Sequence, residues 1–195
     1  MISNKFHHPK LSITTMKRIS SLFAICTIVL AISSACAPKR PNIDLDNYSA
    51  PPQDKVVVAN LISNHNYALA QQKADSLLSI YPNDPQIHTL KGFAYYITNN
   101  SRQMKAAFRQ AIRIYDNLLS KRPDFSDEIN KAMCILFVKG DAAYQKYLDK
   151  VERMEVYKDC EPMSSKSIPL LFRDVTPEKI IHDNFSEEIR YIPKR

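Results

Sequence analysis

The chain has 195 residues, enough for one domain with a substantial core. Its two glycines, Gly92 and Gly140, exclude glycine-rich phosphate loops, and no Asn-Gly or Asp-Gly turn is present to build β-hairpins, which leaves an all-helical chain. The formal charge is +7, but Lys5, Lys10, Lys17 and Arg18 supply four of those charges ahead of residue 36, and the modest remainder is no nucleic-acid footprint.

Residues 1–35 read as an export signal. Met16-Lys17-Arg18 gives a basic start, residues 19–32 are apolar, and Ser33-Ser34-Ala35 supplies small residues at the end. Either Met1 or Met16 can be the start. The apolar run is shorter than the roughly 18–20 residues that span a bilayer. Ser33-Ser34-Ala35-Cys36 resembles a bacterial lipobox, although Ser33 stands where an aliphatic residue is usual and Ile32 lies one place further back. That resemblance implies lipidation of Cys36 and anchoring to a bacterial membrane, the outer membrane facing the periplasm. Ordinary cleavage after Ala35 and an uncleaved anchor are the alternatives. Cys26, inside the run, reads as a plain apolar position.

Residues 36–53 form a tether in which Pro38, Pro41, Pro51 and Pro52 oppose helix. The helical body is expected over 54–157. Lys55-Val56-Val57-Val58 favours strand on propensity, yet the segment that follows makes it a helix ending near Ser63. Beyond the polar break at His65-Asn66, residues Tyr67, Ala70, Ala74, Leu77, Leu78 and Tyr81 share one helical face. Pro82 and Pro85 close that helix and open the next.

The most informative stretch is 85–111. It contains His88-x2-Lys91-Gly92-x2-Tyr95, a polar break at Asn99-Asn100-Ser101, then Met104-x3-Phe108 and Ala111. This pattern resembles one tetratricopeptide repeat: helix, tight turn, helix, small residues where the helices touch and large ones where they interlock. The Trp, the Leu and the first Ala of the repeat pattern are absent. Pro82 and Pro123 stand 41 residues apart, against about 34 in a standard repeat. The surplus is close to the 7.2 residues of two helical turns, so the second helix can lengthen without rotating its apolar stripe. Gly92 marks the close approach of the two helices.

A third pair is expected over 125–139 and 141–157, with Gly140 as a left-handed helix end and Asp141 as the next cap. Residues 158–195 are an irregular tail with one short helix from Pro177 to about Asn184. Leu170, Leu171 and Phe172 are apolar enough to dock, and the tail either caps the last hairpin or fills a groove.

The sequence carries no catalytic or metal-site spacing. The histidines beyond the signal, His65, His88 and His182, are far apart. Cys134 and Cys160 can pair in an oxidising compartment, or stay a buried thiol and a tail thiol. The expected architecture is all-α: three antiparallel hairpins stacked as a short tetratricopeptide-like solenoid. In repeats of this kind the first helix of each hairpin lines a concave groove that holds a peptide or a partner's helix. Carried over by that resemblance, the groove residues are Gln86, Thr89, Phe93 and Tyr96. The alternative for Phe93 and Tyr96 is packing against the next hairpin. The expected function is a membrane-anchored protein-interaction scaffold in a bacterial cell envelope. It would not be an enzyme and would need no cofactor, metal, nucleic acid or small-molecule substrate. An envelope hydrolase with a site between hairpins and tail, or a structural spacer, are the alternatives.

Overall fold

The computed structural model describes residues 48–160 and 164–186. The export signal, Cys36 and most of the tether lie outside the described residues. The protein is all-α, with no strand among the described residues. Its helices are α1 (Pro52–Ser63), α2 (Tyr67–Ile80), α3 (Pro85–Ile97), α4 (Ser101–Lys121), α5 (Phe125–Lys139), α6 (Asp141–Glu152), α7 (Ile168–Leu171) and α8 (Pro177–Phe185). Single turns of 3-10 helix stand at Glu155–Tyr157 and Ser165–Ser167. Each helix from α1 to α6 packs mainly on its chain neighbours, and α1 also meets α3 and α8. This is a solenoid-like stack of three hairpins. Among the described residues, no helix is long and apolar enough to cross a membrane.

The helix boundaries follow from local chemistry. Proline opens α1, α3 and α8 in the first turn, where its missing N–H is not needed. Side chains of Asp84, Asn100, Asp124 and Thr176 accept hydrogen bonds from first-turn N–H groups of α3, α4, α5 and α8. The three valines of α1 divide by helical geometry, with Val58 fully buried and Val56 and Val57 exposed.

Hairpins one and two turn in the same way. His65 and Asn99 take left-handed conformations, at φ 59° and 57°. Asn66 N–H donates to Leu61 O and Asn100 N–H to Tyr95 O, both at 2.9 Å. His65 N–H donates to Ile62 O at 2.9 Å, and Asn99 N–H to Tyr96 O at 3.0 Å. These are Schellman closures, 34 residues apart along the chain. At the same offset Gly92 corresponds to Val58, and Phe108 to Ala74. Val58 and Ala74 are buried, as Gly92 and Phe108 are, but the residue types at the corresponding positions differ.

A Cβ on Gly92 would sit 2.7 Å from the Phe108 ring. That ring is fully buried and stacks on Phe137, centroids 4.8 Å apart, so it has nowhere to go. Gly92→Leu is expected to lower stability by about 1–3 kcal/mol, the overpacking outweighing the gain in helix propensity. Chemical denaturation checks this, and a variant as stable as wild type would mean that the two helices do not meet there.

Four expectations need correction. The body begins at Tyr48 rather than at residue 54: Arg122 donates to Tyr48 Oη at 3.0 Å, and Ala50 is 2% exposed. Gly140 has φ 82° but ψ 179°, so it extends the chain instead of closing a left-handed turn. Asp141 is the first residue of α6 and does not cap it, its side chain accepting from Gln145 instead. In the tail Ile168 and Phe172 are buried, whereas Leu170 is 85% exposed and Leu171 stays at the surface. The tail is also more ordered than one short helix. Tyr144 Oη donates to Phe172 O at 2.9 Å, and Arg173 pairs with Asp149 at 2.7 Å and Glu152 at 2.5 Å.

Candidate functional site

The inner face of α3 carries Gln86, Thr89, Phe93 and Tyr96 at intervals of three and four, one stripe along the helix. Its N-terminal end is fixed by a buried polar latch. Asp84 is completely buried. Its Oδ1 accepts from Gln86 N at 2.8 Å and Ile87 N at 3.1 Å; its Oδ2 accepts from Ala50 N at 2.7 Å and Ser49 Oγ at 3.3 Å. Lys55, itself 6% exposed, lies 3.0 Å from Oδ2 and donates to Ser49 Oγ and Gln86 Oε1. One carboxylate thus ties the end of the tether, α1 and α3 together. The cap was legible in Asp84-Pro85; the buried lysine was not, because lysine is rarely buried unless paired.

Further along the stripe Thr89 is buried, donating to Pro85 O at 2.8 Å and lying 3.4 Å from Cys134 Sγ. Phe93 is only 6% exposed and is ringed by Phe108, Phe137 and Phe185, with centroids at 5.5, 5.4 and 5.6 Å. Tyr96 is half-buried, its ring edge-on to Phe137 at 5.0 Å. Its hydroxyl donates to Glu178 Oε1 at 2.6 Å. Burial, and then the hydrogen bond to Glu178, push the Tyr96 phenol up to about 12. The same bond holds Glu178 below the usual carboxylate range.

The stripe is therefore not open. Phe185 and Glu178 both belong to α8, which lies over α3 and packs on α1. Of the two expectations for the tail, filling a groove describes α8. The packing alternative describes Phe93, whose ring is core in this arrangement rather than a surface anchor. Beside Asn184 the N-terminal half of the stripe lines a cavity of about 50 Å3 with Lys55, Gln86, Thr89, Leu90, Phe93, Tyr115, Asn130 and Met133 around it. The Tyr115 hydroxyl itself is buried, out of reach of the cavity. Thr89 lies close to it; the Thr89 proton goes to Pro85 O, and its oxygen keeps lone pairs able to accept from the phenol.

The cysteines do not pair with each other. Cys134 is fully buried against Thr89, and burial pushes its thiol up to about 12, which makes it unreactive. Cys160 Sγ donates to Val156 O at 3.5 Å. The histidines stay apart: His65 bonds Tyr67, His88 bonds Pro82 O, and His182 lies 3.3 Å from Asp183. Among the described residues no three His, Cys, Asp or Glu side chains are placed to hold a metal.

A second buried carboxyl, at the start of α5, gives the protein a pH dependence. Asp127 is pushed up to about 7 by burial, with Asp124 adding to the shift and Arg122, 3.5 Å away, opposing it. The unfolded chain releases that proton near pH 4. Between about pH 4 and 7 the native state holds one proton more, so stability falls as pH rises through that window and levels off above it. Asp127→Asn is expected to flatten this slope and to be about 1–3 kcal/mol more stable than wild type at pH 8. Urea midpoints at pH 5 and pH 8 check it, and parallel pH profiles for the two proteins would contradict it.

No protein-family model matches the chain, and neither the curated proteins nor the solved structures hold a match to it.

Proposed function

We propose that the protein is an exported, lipid-anchored, tetratricopeptide-like scaffold that binds a protein or peptide partner in a bacterial cell envelope. The observation put forward for the binding role is that the inner face of α3 takes a helix of the tail at Tyr96, whose half-exposed ring and hydroxyl meet Glu178. The turns at His65 and Asn99, 34 residues apart, support the repeat reading. The lipid anchor rests on Ser33-Ser34-Ala35-Cys36 after the apolar run.

The test is co-purification from crosslinked envelopes. Tyr96→Ala is expected to weaken partner recovery by roughly thirtyfold, the loss of one hot spot of about 2 kcal/mol, while the protein stays folded. Cys36→Ala is expected to abolish acyl labelling and release the chain from membranes. A folded Tyr96→Ala protein that recovers every partner would remove the groove from the account. Unchanged labelling of Cys36→Ala would remove the anchor.

A further inference from the structure

We infer that the cavity bounded by α3, α5 and α8 is a binding site for an uncharged peptide segment, taking one short aliphatic side chain and the peptide group beside it. This names the chemistry of the partner under the scaffold reading and rests on that reading.

The leading observation is Asn130. It belongs to α5, is 5% exposed and lines the cavity, yet no group among the described residues hydrogen-bonds its carboxamide. A buried carboxamide without a partner lowers stability, and an aliphatic residue of the same shape would avoid that loss. Two more carboxamides line the same cavity from other helices, each half used. Gln86 of α3 accepts from Lys55 through Oε1 and retains its Nε2 donors. Asn184 of α8 donates to Ile180 O through Nδ2 and retains Oδ1 as an acceptor. Three helices thus offer neutral donors and acceptors, and the N–H and C=O of a peptide group answer both kinds. Because Asn184 is one of the three, α8 stays in place when the site is filled.

Charge and size narrow the ligand. Lys55 is the one charged side chain among the described residues around the cavity. Asp84 neutralises it at 3.0 Å, and it also donates to Ser49 Oγ and Gln86 Oε1, so no cation is left for a carboxylate or phosphate. Leu90, Phe93 and Met133 make the apolar wall. The volume is about 50 Å3. At about 10–15 Å3 for each water-sized occupant it takes about four heavy atoms, the size of a valine or leucine side chain. A sugar fits less well, because its several hydroxyls would lose water against that apolar wall without gaining partners.

The probe is the capped peptide N-acetyl-Ala-Val-Ala-methylamide, titrated into the whole chain and followed by NMR at the Met133 methyl and the Asn130 side-chain amide. A saturable shift at both is expected, with Kd of the order of a millimolar, while the methyls of Met104 and Met154, which do not line the cavity, stay unmoved. The same peptide with Trp in place of Val is too large and is expected to leave Met133 unshifted, as is N-acetylglucosamine. Asn130→Leu is expected to weaken binding at least tenfold, read at Met133, and to melt no lower than wild type, which a purely structural asparagine would not do. Should that variant fail to fold, Met133→Phe fills the cavity from its apolar side, and the same tenfold loss is read at the Asn130 amide. No saturable shift with the valine peptide would leave the cavity to water and overturn the inference. So would undiminished binding by both variants, binding of N-acetylglucosamine alone, or unfolding of both variants. If the peptide fails while Tyr96→Ala still loses partners from envelopes, this site falls and the scaffold reading stands.

Discussion

Asp84→Ala is expected to destabilise the protein by about 3–5 kcal/mol, which is a large fraction of the stability of a domain this size. The carboxylate has no access to solvent and meets four donors and one cation. Removing it strands the Lys55 ammonium, whose side chain is 7% exposed, without a counter-charge. It also leaves the buried Ala50 N–H unpaired and takes the N-cap from α3. Asp84→Asn separates these effects: it can keep the cap while losing the charge, and should fall between wild type and alanine. A Lys55→Met/Asp84→Asn double variant should recover much of the loss, because replacing both members of a buried pair costs less than breaking it. Urea denaturation of the four proteins reads this directly. A loss below 1 kcal/mol for Asp84→Ala would mean that the latch is solvated.

Phe93→Ala is the second large effect, about 3–5 kcal/mol, as for other buried aromatics truncated to alanine. Its ring touches Phe108 from α4, Phe137 from α5 and Phe185 from α8, so truncation opens a void shared by four helices. Tyr96→Ala, three residues on, should cost clearly less, because Tyr96 is half-exposed and its hydroxyl reaches a surface carboxylate. The contrast separates a core residue from a groove residue on one helix face. Comparable melting temperatures for the two variants would contradict the assigned packing.

Much of this architecture is legible in the chain. Pro85 and Thr176-Pro177 mark helix starts through rules that act over four residues, and α5 spans the expected 125–139. The close approach at Gly92 was expected from the sequence, and its partner is the Phe108 ring. What the chain concealed is mostly non-local. The similar turns at His65 and Asn99 are set by backbone conformation, which residue types there do not announce. Lys55 gives no sign of burial, since its counter-charge, Asp84, lies 29 residues on in the chain, at the cap of another helix. Nothing in 177–185 specifies which surface Phe185 covers. The choice between core and groove for Phe93 therefore depended on where the tail lies.

The position of α8 is accordingly the central claim, and site-specific photocrosslinking tests it most directly. A benzophenone amino acid replacing Tyr96 in the whole chain is irradiated, and the crosslinked peptides are mapped by mass spectrometry. The account predicts an intramolecular crosslink from position 96 into residues 177–185, abolished when Phe185 and Ile180 are replaced by alanine. Crosslinks from position 96 that never reach 177–185 would contradict it.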